Sequence, residues 1–93
     1  MSDNFIVASI AAANTFSASI ALSGKFNFNI SGTWVGTVVV QRSFNTGLSW
    51  LDVAEFTANG AYVGDEPEEG VLYRFGVKTG ALTSGDVIGR LSQ

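Results

Sequence analysis

Histidine and cysteine are both absent from this 93-residue chain. That removes the commonest general base, the commonest metal ligand and the thiol nucleophile together. No disulfide can staple a small core, so stability must come from packing, which suits synthesis in a reducing cytosol. Proline occurs once, and charged residues make up 14% of the chain, against about 25% in ordinary soluble domains. The five basic residues, Lys25, Arg42, Arg74, Lys78 and Arg90, are scattered, and the net charge is −3. They form neither a phosphate-tracking surface nor a polybasic lipid anchor, so nucleic acid and membrane are not expected as partners. The apolar stretch Phe5–Ala13 has no basic flank, and Ser9 interrupts it. It reads as a strand rather than a signal peptide or membrane span.

Apolar residues make up 46% and aromatics 12%, enough to bury a core in one domain of this length. With so little charge, the surface must be Ser, Thr, Asn, Gly and some apolar side chains. That fits a neutral hydroxyl-coated β domain, or a domain with part of its surface in a permanent interface, where charge is depleted.

The dominant period is two. Phe26, Phe28 and Ile30 alternate with Asn27, Asn29 and Ser31, and Tyr73, Phe75 and Val77 alternate with Arg74, Gly76 and Lys78. Each pattern gives a strand with one buried face. Further strands are expected over Phe5–Ala12, Phe16–Leu22, Thr37–Arg42, Trp50–Phe56 and Val87–Leu91. Breakers are expected at Ser23-Gly24, Ser31-Gly32, Asn45–Gly47, Asn59-Gly60, Gly64–Gly70, Gly80 and Ser84-Gly85. No segment carries a helical period. The expected core is Phe26, Phe28, Ile30, Val38, Val40, Trp50, Val53, Phe56, Tyr73, Phe75, Val77, Val87 and Leu91.

Two local motifs are structural devices. Ser43-Phe44-Asn45-Thr46-Gly47-Leu48-Ser49-Trp50 sits between two strands and predicts a hairpin loop. Ser43, Asn45 and Gly47 shape the turn, and Trp50 folds back over it. It resembles the Asp-box of sialidases, with Asn45 and Ser49 in place of its Asp and Thr, and implies turn stabilisation rather than sugar binding. In Pro67–Val77, Gly70 lies three residues before Tyr73. This resembles the corner of fibronectin-III and other immunoglobulin-like domains, where the Tyr hydroxyl bonds upstream backbone. The run Asp65-Glu66-Pro67-Glu68-Glu69 is expected as a solvated loop. A Ca²⁺ role is the rival reading, although the spacing is not that of an EF-hand. No nucleotide-binding motif is present, and no catalytic, metal or cofactor-binding residue is assigned.

The run Phe26–Phe44, with its pattern F-x-x-x-x-S-G-T-W-x-G-T-V-x-x-Q-R-S-F, resembles short structural proteins of bacteriophage and prophage virions. The Gly47–Trp50 turn and Tyr73–Gly80 with Thr83-Ser84-Gly85 extend the resemblance. It implies a non-enzymatic virion protein, made in the bacterial cytoplasm. Its expected place is as a capsid decoration or cement subunit docked on the major capsid protein, with self-association. A tail, neck or fibre-associated module is the alternative. A carbohydrate-binding module using Trp34 and Trp50 is a further one. The expected fold is all-β: an immunoglobulin-like β-sandwich of seven or eight strands over residues 1–93, or else a small jelly roll. Residues 1–24 are its first strands or an extended arm.

Overall fold

The computed structural model describes residues 4–93, and every regular element in them is a strand. In chain order these are β1 (Phe5–Ile10), β2 (Thr15–Phe16), β3 (Ile20–Gly36), β4 (Val38–Ser43), β5 (Leu51–Phe56), β6 (Gly60–Val77) and β7 (Leu82–Ser92). All pair antiparallel in the order β1-β7-β3-β6-β4-β5, with β2 added beside the end of β6.

Two strands, β3 and β6, are 17 and 18 residues long, about three times the usual strand. They bend, and so belong to both layers of a sandwich. At the bend the register jumps from Leu22↔Val71 to Gly24↔Glu66. The four residues Pro67–Gly70 therefore bulge opposite Ser23. Gly24 has φ +72 there, with nothing near the position a Cβ would take. A glycine in that conformation turns the strand without steric cost.

The first layer is β1, β7, the body of β3 and the first half of β6. The second is β5, β4, the second half of β6, β2 and the start of β3. Their inner faces meet. The Phe28 and Phe75 rings are 5.2 Å apart and those of Phe26 and Tyr73 are 4.8 Å apart. Gly89 and Gly64 make room for them. A Cβ on Gly89 would collide with the Phe75 ring, and one on Gly64 with the Phe26 ring. Aromatic side chains over strand glycines fill the space that the glycines leave.

The all-β sandwich expected from the alternation is therefore what forms. Both layers belong to one hydrogen-bonded sheet, whereas an immunoglobulin sandwich has two separate sheets. Breakers expected at Gly24, Gly32, Gly64–Gly70 and Gly85 lie within continuous strands instead of ending them, and the register shifts at Gly24 and Pro67–Gly70. Within residues 4–24, residues 5–10, 15–16 and 20–24 are strand built into the sheet, joined by irregular segments at 11–14 and 17–19, and β1 is paired along its full length to β7. Residues 1–3 lie outside the described part.

Most of the expected core is buried, and Ile10, Ile20, Leu22, Val39 and Val71 join the buried set. Two of the expected residues lie elsewhere. Val53 is exposed on β5, at the mouth of an apolar cleft between β5 and the first half of β6. Trp50 is half-buried on the outside of the second layer. Phe56 is half-buried against the core.

Candidate functional site

The β4–β5 loop is a self-contained hydrogen-bonded turn. The Ser43 hydroxyl donates to Asn45 Oδ1 at 2.8 Å and accepts from the Gly47 N–H at 2.9 Å and the Asn45 N–H at 3.3 Å. Asn45 Oδ1 also accepts from the Ser49 N–H at 3.0 Å, and its amide nitrogen donates to the Ser49 hydroxyl at 2.8 Å. Asn45 acts through its side chain; the left-handed backbone falls on Thr46 (φ 58) and Gly47 (φ 90). Trp50 lies over the turn, its ring 3.6 Å from where a Gly47 Cβ would sit. The motif is thus spent on local structure.

The corner differs from its expected form. Tyr73 does not bond upstream backbone: its hydroxyl donates to Glu66 Oε1 at 2.7 Å. Arg42 Nη1 reaches the same oxygen at 2.9 Å, and Glu66 Oε2 accepts from the Glu68 N–H at 3.1 Å. Glu66 is 1% exposed, so the acidic run is not wholly a solvated loop. The bulge folds one of its carboxylates inward, where Arg42 and Tyr73 satisfy it; a buried carboxylate is tolerated only on such terms. Burial pushes the Glu66 carboxyl up, but the three hydrogen bonds outweigh it and hold the group below its ordinary value. Burial and the Glu66 carboxylate push Tyr73 up to about 12. Gly70 takes φ +81 in the bulge that brings Glu66 round to Tyr73. Among the described residues no group of acidic side chains is placed to hold a metal ion. No buried side-chain polar atom among them lacks a partner, so the corner is a closed structural cluster.

The two outer faces are built differently. On the second layer, the outward side chains of the central strand β4 are Val39, Gln41 and Ser43, and all are buried. The loop covers Ser43, and a stack covers Gln41. The Arg74 guanidinium lies 4.1 Å from the Phe16 ring centroid on one side and 4.3 Å from that of Trp50 on the other. Arg74 Nε donates to Gln41 Oε1 at 2.9 Å, Gln41 Nε2 donates to Asp52 Oδ1 at 2.9 Å, and Asp52 pairs with Lys78. Lys78, and after it Gln41, hold the Asp52 carboxyl below its ordinary value, while burial lowers that of Arg74.

On the first layer, the outward residues of the central strand β3 are Asn27, Asn29, Ser31 and Thr33, and all are exposed. The register extends them into rows: Phe5–Ser92–Asn27–Val63, Val7–Arg90–Asn29–Ala61, and Ser9–Ile88–Ser31. Arg90 is the single charge in these rows. Its guanidinium lies 5.0 Å from the Phe5 ring centroid and bonds the Ser92 hydroxyl. The next charges, Lys25 opposite Asp65 and Asp86 opposite Thr33, stand at the two ends. Val7 is 55% exposed and Val63 75%. Ser92 is buried beside Arg90, and the other residues of these rows are exposed.

No protein-family model, curated protein or solved structure matches this chain. The bare face of the first layer is the candidate site. It holds amides, hydroxyls, apolar side chains and the Arg90 guanidinium on regular strands. Sequence reading missed it because its residues come from four strands, and only the register assembles them. The tryptophans do not lie on it. Trp50 is stacked under Arg74, and Trp34 donates its indole N–H to Asn59 at 2.7 Å while packing against the core. Neither ring stands free as a sugar-stacking platform.

Proposed function

We propose that this chain is a non-enzymatic structural protein of a phage particle. Its place is as a capsid decoration or cement subunit seated on the major capsid protein through the bare outer face of its first layer. The observation that carries the reading is that face: regular strands with one charge in three rows and an exposed central strand, on a molecule whose other layer has the outward residues of its central strand buried. Charge depletion with exposed apolar side chains marks surfaces that stay docked. A repeating lattice presents the same socket many times, so modest affinity per site suffices when neighbouring subunits also touch. The resemblance in Phe26–Phe44 supplies the setting, and the missing histidine and cysteine favour binding over catalysis.

Disassembled particles run on a denaturing gel test this. The expected result is a band at the 9.8 kDa chain mass at a copy number comparable to that of the capsid protein. A few copies per particle place the protein on the neck or tail instead. Its absence from particles overturns the reading.

A further inference from the structure

We infer that two copies of this chain associate through strand β1, edge to edge and antiparallel, so that the first layers of both join into one continuous sheet. The proposal deepens the binding reading above but does not depend on the particle setting. Strand β1 is the end of the sheet order; its hydrogen-bonded neighbour is β7, and no strand among the described residues lies on its other side. An open edge with free backbone groups is a template for another strand, and proteins normally guard it with charge, proline or a bulge.

The open edges of this molecule are guarded unequally. The opposite end of the order, β5, carries Asp52 and Glu55, and the register slips between Val40 and Gln41 where β5 pairs with β4. Pairing two copies there would bring acids together. The first half of β6 has Asp65 beside its free edge. Strand β1 reads Phe-Ile-Val-Ala-Ser-Ile: no charge, no proline, and an unbroken six-residue register with β7.

The strand is also complementary to itself. Phe5, Val7 and Ser9 face outward, while Ile6, Ala8 and Ile10 face the core side. A continuous sheet needs outward residues opposite outward residues, because side chains alternate with period two. A two-fold axis at Val7 does this. It sets Val7 against Val7 of the second copy, Phe5 against Ser9 and Ile6 against Ala8, with no charge in any pair. A symmetric closed pair follows, which is the commonest form of association between identical chains. The exposed Phe5 and Val7 of both copies, flanked by Ile88, then form one apolar strip across the seam. This charge-free self-match selects a second copy over a partner of another chemistry.

Sedimentation equilibrium on the full chain tests the pairing. The expected mass is twice the 9.8 kDa chain mass. Val7→Lys places two ammonium groups face to face and weakens association by about tenfold or more. Val7 is exposed, so this variant keeps its fold. Val53→Lys, on the other edge strand, leaves the dimer intact. A covalent readout is independent of affinity. The chain has no cysteine, and directly opposed residues in an antiparallel pair have Cα atoms about 4.5–5.5 Å apart, within disulfide reach. Val7→Cys is therefore expected to oxidise to a linked dimer, and Leu48→Cys to remain a single chain. A monomeric mass at millimolar protein, or a dimer indifferent to Val7→Lys whose Val7→Cys form does not link, overturns the inference. Neither result bears on the particle gel, which judges the docking reading separately.

Discussion

The central strand of each layer has outward side chains, and they meet opposite fates. On β4, Val39, Gln41 and Ser43 are sealed beneath the turn, Trp50 and the stacked Arg74. On β3, Asn27, Asn29, Ser31 and Thr33 lie open to solvent. A sheet with two packed layers needs no cover on either outer face. Where cover exists it adds stability, and where it is missing on a charge-poor surface it leaves area for a partner. The comparison predicts that damage to the covered face changes stability, and that damage to the bare face changes association alone.

The largest effect is expected at Trp50. Trp50→Ala removes the ring that covers both Gly47 and Arg74 and exposes Gln41. A loss of about 3 kcal/mol is expected, at the low end for a truncated aromatic because the ring is half-buried. Val63→Ala on the bare face is expected to stay within about 0.5 kcal/mol. Equal losses in urea melts of the two variants would erase the distinction between the faces.

The corner ties the two layers together, and its titration follows from its geometry. Tyr73 has its folded pKa raised to about 12 from an ordinary 10. Its protonated form is favoured in the fold, so its contribution is full below pH 10 and is lost as pH rises from 10 to 12. The loss is about 2 to 3 kcal/mol. Tyr73→Phe is expected to flatten that alkaline decline. Glu66 is lowered, so its contribution holds above the ordinary carboxylate range and is lost as pH falls through its depressed value. Chemical melts of both proteins across pH 8 to 12 check the alkaline arm.

How much of this could be read from the chain varies by residue. Alternation identified Phe26, Phe28, Ile30, Tyr73, Phe75 and Val77, because a one-sided strand writes its buried face into every second residue. The Ser43–Trp50 turn was legible because its bonds span at most four residues. Glu66 was not: it has the same neighbours as any acidic loop, and its burial depends on Arg42, 24 residues away. The strand beginning at Gly60 was also missed, because Gly60 and Gly64 read as breakers until the Phe26 ring is seen lying over Gly64. The bare face had no local signature at all.

Smaller effects separate the parts of the covered face. Ser43→Ala removes the hydroxyl that accepts from two backbone N–H groups, and is expected to cost about 1 to 2 kcal/mol. Lys78→Ala breaks a pair with Asp52 that is nearly half exposed at both ends. It is expected to cost under about 1 kcal/mol, and less at high salt. Thermal melts at two salt concentrations distinguish the two variants.

The bare face of the first layer is the proposed docking surface. Co-sedimentation with particles stripped of the protein tests it most directly, using wild type, Asn29→Lys at the centre of the bare face, and Leu48→Lys on the loop of the covered one. Asn29→Lys is expected to remain in the supernatant while wild type and Leu48→Lys pellet with the particles. Full binding by Asn29→Lys together with loss of binding by Leu48→Lys would contradict the account.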